Sequence, residues 1–63
     1  MKNYPMHLQR QTDDLIAWVK NYWLYAYPDD TDLKRKRRMV LTRVNRLRKL
    51  LDEIEQELTE EEG

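Results

Sequence analysis

Few side chains in this sequence could do chemistry, and their spacing does not assemble a reactive centre. His7 is the only histidine and there is no cysteine, which excludes a histidine or cysteine zinc cluster. The carboxylate pairs Asp13–Asp14 and Asp29–Asp30 stand near candidate helix starts, where acidic residues are favoured by the helix dipole. A catalytic carboxylate needs a pocket that raises its pKa, and the helical hairpin that the chain predicts has no obvious concavity. We therefore expect no enzyme, no cofactor and no metal.

The strongest charged feature is the basic block Lys34–Arg38, which further basic residues follow as far as Lys49 before the sign reverses at Asp52. One interpretation is a helix that lies along a phosphate backbone. The simpler interpretation, which we favour, is a solvated face or a face that pairs with acidic residues of another copy. Twelve basic and twelve acidic residues cancel, whereas proteins that bind nucleic acids in bulk are usually strongly basic.

The second half of the chain predicts one long helix, over about residues 30–60. The residues at 29–32 would cap and begin it, whereas residues 60–63 place acidic charge at the negative end of the helix dipole and should fray. Its apolar residues recur with the 3.5-residue period that keeps a seam between two helices in contact. This seam consists of Leu33, Val40, Val44, Leu47, Leu51, Ile54 and Leu58.

The first half predicts a shorter helix with two candidate starts. Pro5 is accepted in a first helical turn, with Asn3 or its neighbour as the cap and residues 1–4 as a short tail. Thr12, which acidic residues follow, is the alternative start. We favour the earlier start because Leu8 lies on the same stripe as the later apolar residues.

A wide apolar face follows this first helix and covers about half of its circumference, which is more than one partner helix would cover. At helical spacing we expect Trp18, Tyr22 and Trp23 to fill the core against the second helix. Tyr25 and Tyr27 lie near the turn and should be partly exposed. The central stripe of the face consists of Leu8, Leu15, Val19, Tyr22 and Ala26, with Ile16 beside it.

The fold class is therefore all-α, an antiparallel two-helix hairpin of about residues 5–27 and 30–60. Pro28 ends the first helix because proline has no N–H to donate and disfavours the helical region for the residue before it. The short connection makes the helices antiparallel neighbours. A single domain of 63 residues has a marginal core, so we expect assembly into a dimeric helical bundle with coiled-coil-like packing.

The charge order of the second helix predicts an antiparallel homodimer, since a parallel pair would place the basic block on the basic block. In this arrangement Val40 is opposite the other copy's Leu58, and Arg43 lies near Glu55 or Glu57. The remaining pairs are Val44 with Ile54, Leu47 with Leu51, Arg38 with Glu60, and Arg46 with Asp52.

These patterns predict a small interaction module that homo-oligomerises through its heptad seam and acts as a regulator, adaptor or inhibitor by binding a partner protein. The alternative is a small nucleic-acid-binding regulator that uses the Lys34–Arg38 block of a dimer. No apolar run reaches the roughly 18 residues that span a membrane, and the absence of cysteine is compatible with a reducing cytoplasm, where we expect the protein. The residues assigned to contact with a partner protein or nucleic acid are Lys34, Arg35, Arg38, Arg46, Lys49, Tyr25 and Tyr27.

Overall fold

The chain folds as two helices that pack against each other. The computed structural model describes residues 3–25 and 32–62. Helix α1 spans Tyr4–Trp23 and helix α2 spans Leu33–Glu62, which confirms the all-α hairpin. The molecule is a rod with extents of 53 × 17 × 13 Å. The predictions for Tyr27, Pro28 and the connection at 29–31 lie outside the described residues.

Polar contacts between the helices show that they are antiparallel. Near the middle of α1, Asp14 contacts Arg43. Later in α1, Tyr22 contacts Arg37, which comes earlier in α2. Later positions in α1 therefore contact earlier positions in α2, as in an antiparallel pair.

Helix α1 begins at the earlier of its two candidate positions. The Asn3 side chain accepts a hydrogen bond from the backbone N–H of Met6 at 3.4 Å, which satisfies one of the donors that a helix start leaves unpaired. The alternative start at Thr12 is wrong. The Thr12 hydroxyl instead donates to the carbonyl of Leu8 at 2.6 Å, the contact of a threonine within a helix.

Helix α1 ends at Trp23, about one turn before the predicted boundary at residue 27. The backbone N–H groups of Leu24 and Tyr25 both donate to the carbonyl of Lys20, at 2.8 and 3.0 Å. Residues 26 and 27 of the predicted helix lie outside the described residues.

Helix α2 extends slightly further than the sequence predicted at its C-terminal end. The backbone N–H of Lys36 donates to the carbonyl of Asp32 at 2.9 Å, which places Asp32 at the start of the hydrogen-bonded helix. The helix continues to Glu62. Because α2 has 30 residues and α1 has 20, α2 is about 15 Å longer at 1.5 Å per residue.

The core between the helices is small. Of the residues that the structure describes, only Val40 and Leu50 are buried hydrophobic side chains, with 8% and 7% of their surface exposed. Both belong to α2, and α1 contributes half-buried residues only. Since the structure is a single hairpin, α1 provides this burial. The residues of α1 with reduced exposure at steps of three and four are Tyr4, Leu8, Gln11, Leu15, Trp18 and Tyr22.

Candidate interaction surface

The predicted heptad seam is divided between two surfaces of α2. Leu33, Val40, Leu47 and Ile54, which are seven residues apart, are half-buried or buried against α1. The neighbouring seam residues Leu51 and Leu58 are exposed, and Val44 is half-buried. Part of the surface that the sequence assigned to a second copy is thus covered within the chain itself.

Sequence reasoning missed Leu50 as a core residue. Leu50 lies on the row 36–43–50–57, which alternates with Val40 and Leu47 along the side of α2 that faces α1. This row contains charged residues at 36, 43 and 57, so a search for apolar positions does not find it. The seven-residue spacing between Arg43 and Leu50 is the sequence signal for this row. It becomes visible when long charged side chains are allowed at the border of a core.

An exposed apolar surface follows one side of the hairpin, and we call it the apolar edge. On α1 it occupies positions 16, 19 and 23, and on α2 positions 41, 44, 51 and 58, at steps of three, four or seven residues, which share a helix face. All of these residues are exposed except for two half-buried valines. The apolar edge consists of Ile16, Val19, Trp23, Leu41, Val44, Leu51 and Leu58.

Trp23 was expected in the core, and the structure places it on the apolar edge with 66% of its surface exposed. Tyr22 and Trp18, which were also expected in the core, are half-buried on the side of α1 that faces α2. Consecutive helical residues differ by about 100° in direction, so Tyr22 faces α2 while Trp23 points to one side. Tyr25 is exposed, as predicted.

A cavity lies on the apolar edge near the end of the hairpin where α1 stops. It has a volume of about 180 Å³ and is lined by Tyr22, Trp23, Arg37, Val40 and Leu41. The rings of Tyr22 and Trp23 meet edge to face, with centroids 4.8 Å apart and planes at 82°. Arg37 Nε donates to the Tyr22 hydroxyl at 3.4 Å. These contacts form an apolar recess with one cationic wall.

Arg43 is held within its own chain. Its Nε donates to Asp14 Oδ2 at 2.9 Å, and the side chains of Arg43 and Asp14 are 15% and 44% exposed. Its guanidinium carbon lies 5.2 Å from the centroid of the Trp18 ring, in the range of a cation–π contact. Its Nη1 also donates to the carbonyl of Met39 at 3.3 Å.

The pairing of Arg43 with Glu55 or Glu57 of a second copy stays a prediction, and it would compete with the contact that Arg43 makes within its own chain. Arg43 lies on the row of α2 that faces α1, where Asp14 is already within hydrogen-bond distance. This contact forms within the chain and carries no entropy cost of association. The basic residues outside that row are more accessible to another molecule.

The opposite side of the hairpin carries a second, more polar groove of about 190 Å³. Arg46, one of the assigned contact residues, lies here and is exposed. The three arginines of the lining outnumber its one carboxylate, so the groove is cationic. It is lined by Arg10, Gln11, Asp14, Arg43 and Arg46.

The other basic contact residues lie on the outward face of α2. Lys34, Arg35, Arg38 and Lys49 are all exposed. Arg35 is 3.8 Å from Asp32, and both side chains are exposed, so this ion pair contributes little to stability. Within the two described ranges, no ion pair involves Arg38, Arg46 or Lys49.

No group of three or more histidine, cysteine, aspartate or glutamate residues at 3–25 and 32–62 is arranged to hold a metal ion. Neither described helix combines the length and the apolar character that crossing a membrane requires. In comparisons with known proteins, the chain matches no family model, no curated protein and no solved structure.

Proposed function

We propose that this hairpin is a non-enzymatic protein–protein interaction module. It associates with itself through α2 and regulates a partner protein by binding to it, as an adaptor or an inhibitor. The observation that supports this proposal is the apolar edge, which exposes leucine, isoleucine and tryptophan side chains along both helices. Contiguous exposed apolar surface of this kind is typical of a protein interface.

The small core gives a second, energetic reason for association. Val40 and Leu50 are the buried hydrophobic residues of the described chain, and a two-helix hairpin must offset the conformational entropy of about 1–2 kcal/mol per ordered residue. Burying one large aliphatic or aromatic side chain contributes roughly 1.5–3 kcal/mol. Covering the apolar edge would therefore stabilise the assembled form relative to the single hairpin.

A partner protein would meet the surface that self-association leaves uncovered. That surface includes Tyr25 near the end of α1 and the outward arginines of α2, such as Arg35 and Arg38, all of which are exposed. Tyrosine, tryptophan and arginine dominate the energetics of protein interfaces because they combine apolar area with hydrogen-bonding groups. Regulation by occupancy needs no reactive group, which agrees with the chemistry of the sequence.

The molar mass in solution tests self-association. We expect the wild-type mass to rise from monomer toward dimer with concentration, and the Leu41→Glu variant to need at least about tenfold more protein, because one buried charge costs more than the 1.4 kcal/mol of a tenfold change. Multi-angle light scattering at two concentrations measures this. Met6→Glu is the matched control, since Met6 is also exposed but lies outside the apolar edge. A wild-type mass that stays monomeric at both concentrations would contradict self-association.

The second candidate function is a nucleic-acid-binding regulator, which the outward basic face of α2 favours. Arg38, Arg46 and Lys49 are exposed and form no ion pair in the described ranges, and their spacing places them on one face with Arg35. Such a face could follow phosphates while the apolar edge holds the dimer together.

Filter binding across salt concentration decides this candidate. If a duplex binds to the outward face, the logarithm of its association constant should fall linearly with the logarithm of the salt concentration. The slope should be about −0.9 for each phosphate neutralised. Replacing Arg38 by glutamine should reduce that slope by about one contact. Lack of binding at low ionic strength would eliminate the nucleic-acid function and leave the protein partner.

A further inference from the structure

The two ends of the hairpin differ in how well they are covered. Helix α2 is about 15 Å longer than α1, and its last residues extend past the start of α1. Leu58 lies in this extension and is exposed. At the other end of the hairpin, the cavity beside Trp23 and Leu41 is open. One end therefore presents an uncovered apolar side chain and the other an apolar recess.

One largely exposed row of α2, in which only Val44 is half-buried, is spaced so that it can face a second copy of itself. Its positions are 41, 44, 48, 51, 55 and 58, and the steps read the same in both directions along the helix. When two copies lie antiparallel about a point between residues 49 and 50, Leu41 is opposite Leu58, Val44 is opposite Glu55 and Arg48 is opposite Leu51. A surface that pairs with itself in this way is what a two-fold dimer requires.

The charges of α2 select the same direction. The helix is basic as far as Lys49 and acidic from Asp52, so an antiparallel pair brings each basic half beside the acidic half of the other copy. On the row itself, Arg48 would lie within one helical turn of the second copy's Glu55, and Arg38 would approach its Glu60. A parallel pair would place like charges together, which costs association energy.

We propose that two hairpins associate along this row and that the second copy's Leu58 enters the cavity formed by Trp23, Tyr22 and Leu41. Each projecting end of α2 is then covered by the Trp23 end of α1 in the other hairpin. Arg37, which forms the cationic wall of the cavity, faces the acidic end of the second copy's α2. This inference rests on the self-association proposed above and specifies its surface, orientation and occupant.

This arrangement differs from the seam that the sequence suggested. Val40, Leu47 and Ile54 stay against α1, and the contact moves to the neighbouring row that begins at Leu41. Both hairpins therefore keep their own cores, and the contact between them is an additional layer of a four-helix assembly. Val44, Leu51 and Leu58 are the original seam residues that remain in the contact.

Cysteine crosslinking tests the arrangement, because the natural sequence contains no cysteine. Leu41→Cys and Leu58→Cys are purified separately, mixed under mild oxidation and analysed without reducing agent. We expect a disulfide-linked dimer in the mixture and background levels in each variant alone, since a disulfide needs Cα atoms about 4.4–6.8 Å apart. Val44→Cys mixed with Glu55→Cys is an independent second pair. Glu53→Cys, which lies outside the row and is exposed, is the control and should not crosslink with Leu41→Cys.

The outcomes separate this inference from the proposed function. Crosslinking of Leu41→Cys with itself would indicate a parallel pair and overturn the inference while keeping self-association. A wild-type dimer by light scattering, with no crosslink in either mixture and normal helical content by circular dichroism, would place the dimer contact elsewhere. A wild-type protein that is monomeric at both concentrations would overturn self-association and this inference together.

Discussion

Replacing Leu50 with alanine is expected to lower the free energy of unfolding by about 2–4 kcal/mol, as for other buried leucines whose removal leaves a cavity. Leu50 is the more deeply buried of the two core residues, and a domain of this size has a small margin of stability. The variant should therefore be largely unfolded at 25 °C. Urea titration followed by circular dichroism measures the change, and loss of helical signal before urea is added would be its most direct form.

The neighbouring residue provides a matched control. Leu51 is 49% exposed, whereas Leu50 is 7% exposed, so Leu51→Ala should cost less than about 1 kcal/mol in a monomer, as is usual for substitutions that leave no cavity. In a dimer that uses the apolar edge, the cost of Leu51→Ala should rise with protein concentration, because the dimer is linked to folding by mass action. Equal losses for both variants at low concentration would show that α1 does not cover the Leu50 side of α2.

The contrast between these two leucines also shows where sequence reasoning stops. A 3.5-residue period places apolar residues on one side of a helix, but it does not say which molecule covers that side. Leu33, Val40, Leu47 and Ile54 form a row that serves either a second copy or the chain's own first helix. The structure assigns this row to α1, and the distinction required the relative rotation of the two helices.

The boundaries of the helices were predictable to the extent that local chemistry determines them. Asn3 caps α1 as its residue type suggests, and the hairpin itself followed from the two apolar stripes separated by Pro28. The end of α1 was placed one turn too late, because a proline limits how far a helix can continue but does not fix the residue at which the helix stops. Trp23 was wrongly assigned to the core because the apolar face of α1 covers about half of the helix circumference. A face of that width does not identify which aromatic residue contacts α2.

Arg43 shows a different limit, because its role depends on a partner 29 positions earlier in the chain. Charge patterning along α2 placed it beside acidic residues of another copy. In the structure it bonds to Asp14 and lies over Trp18, both of which are on α1. A sequence pattern within one helix contains no information about this contact.

Replacing Arg43 with alanine is therefore expected to cost about 1–3 kcal/mol of unfolding free energy, since the change removes a partly buried charged hydrogen bond and a cation–π contact. The largely covered arginine also loses the packing of its aliphatic stem. Urea titration measures this loss. Arg46→Ala is the matched control, because Arg46 is exposed and makes no ion pair in the described ranges, and its effect should stay within about 0.5 kcal/mol.

Two further single substitutions then separate the ion pair from the aromatic contact. Asp14 is 44% exposed, so Asp14→Asn should cost less than about 1 kcal/mol, as is usual for ion pairs that water reaches. Arg43→Lys should retain much of the charge interaction but weaken the contact with Trp18, because the compact, strongly hydrated ammonium of lysine lacks the planar guanidinium that packs against an aromatic ring. If Asp14→Asn costs as much as Arg43→Ala, the carboxylate holds Arg43 in place. If Arg43→Lys is the costlier change, the ring of Trp18 is the main partner, and the arginine acts as part of the core between the helices.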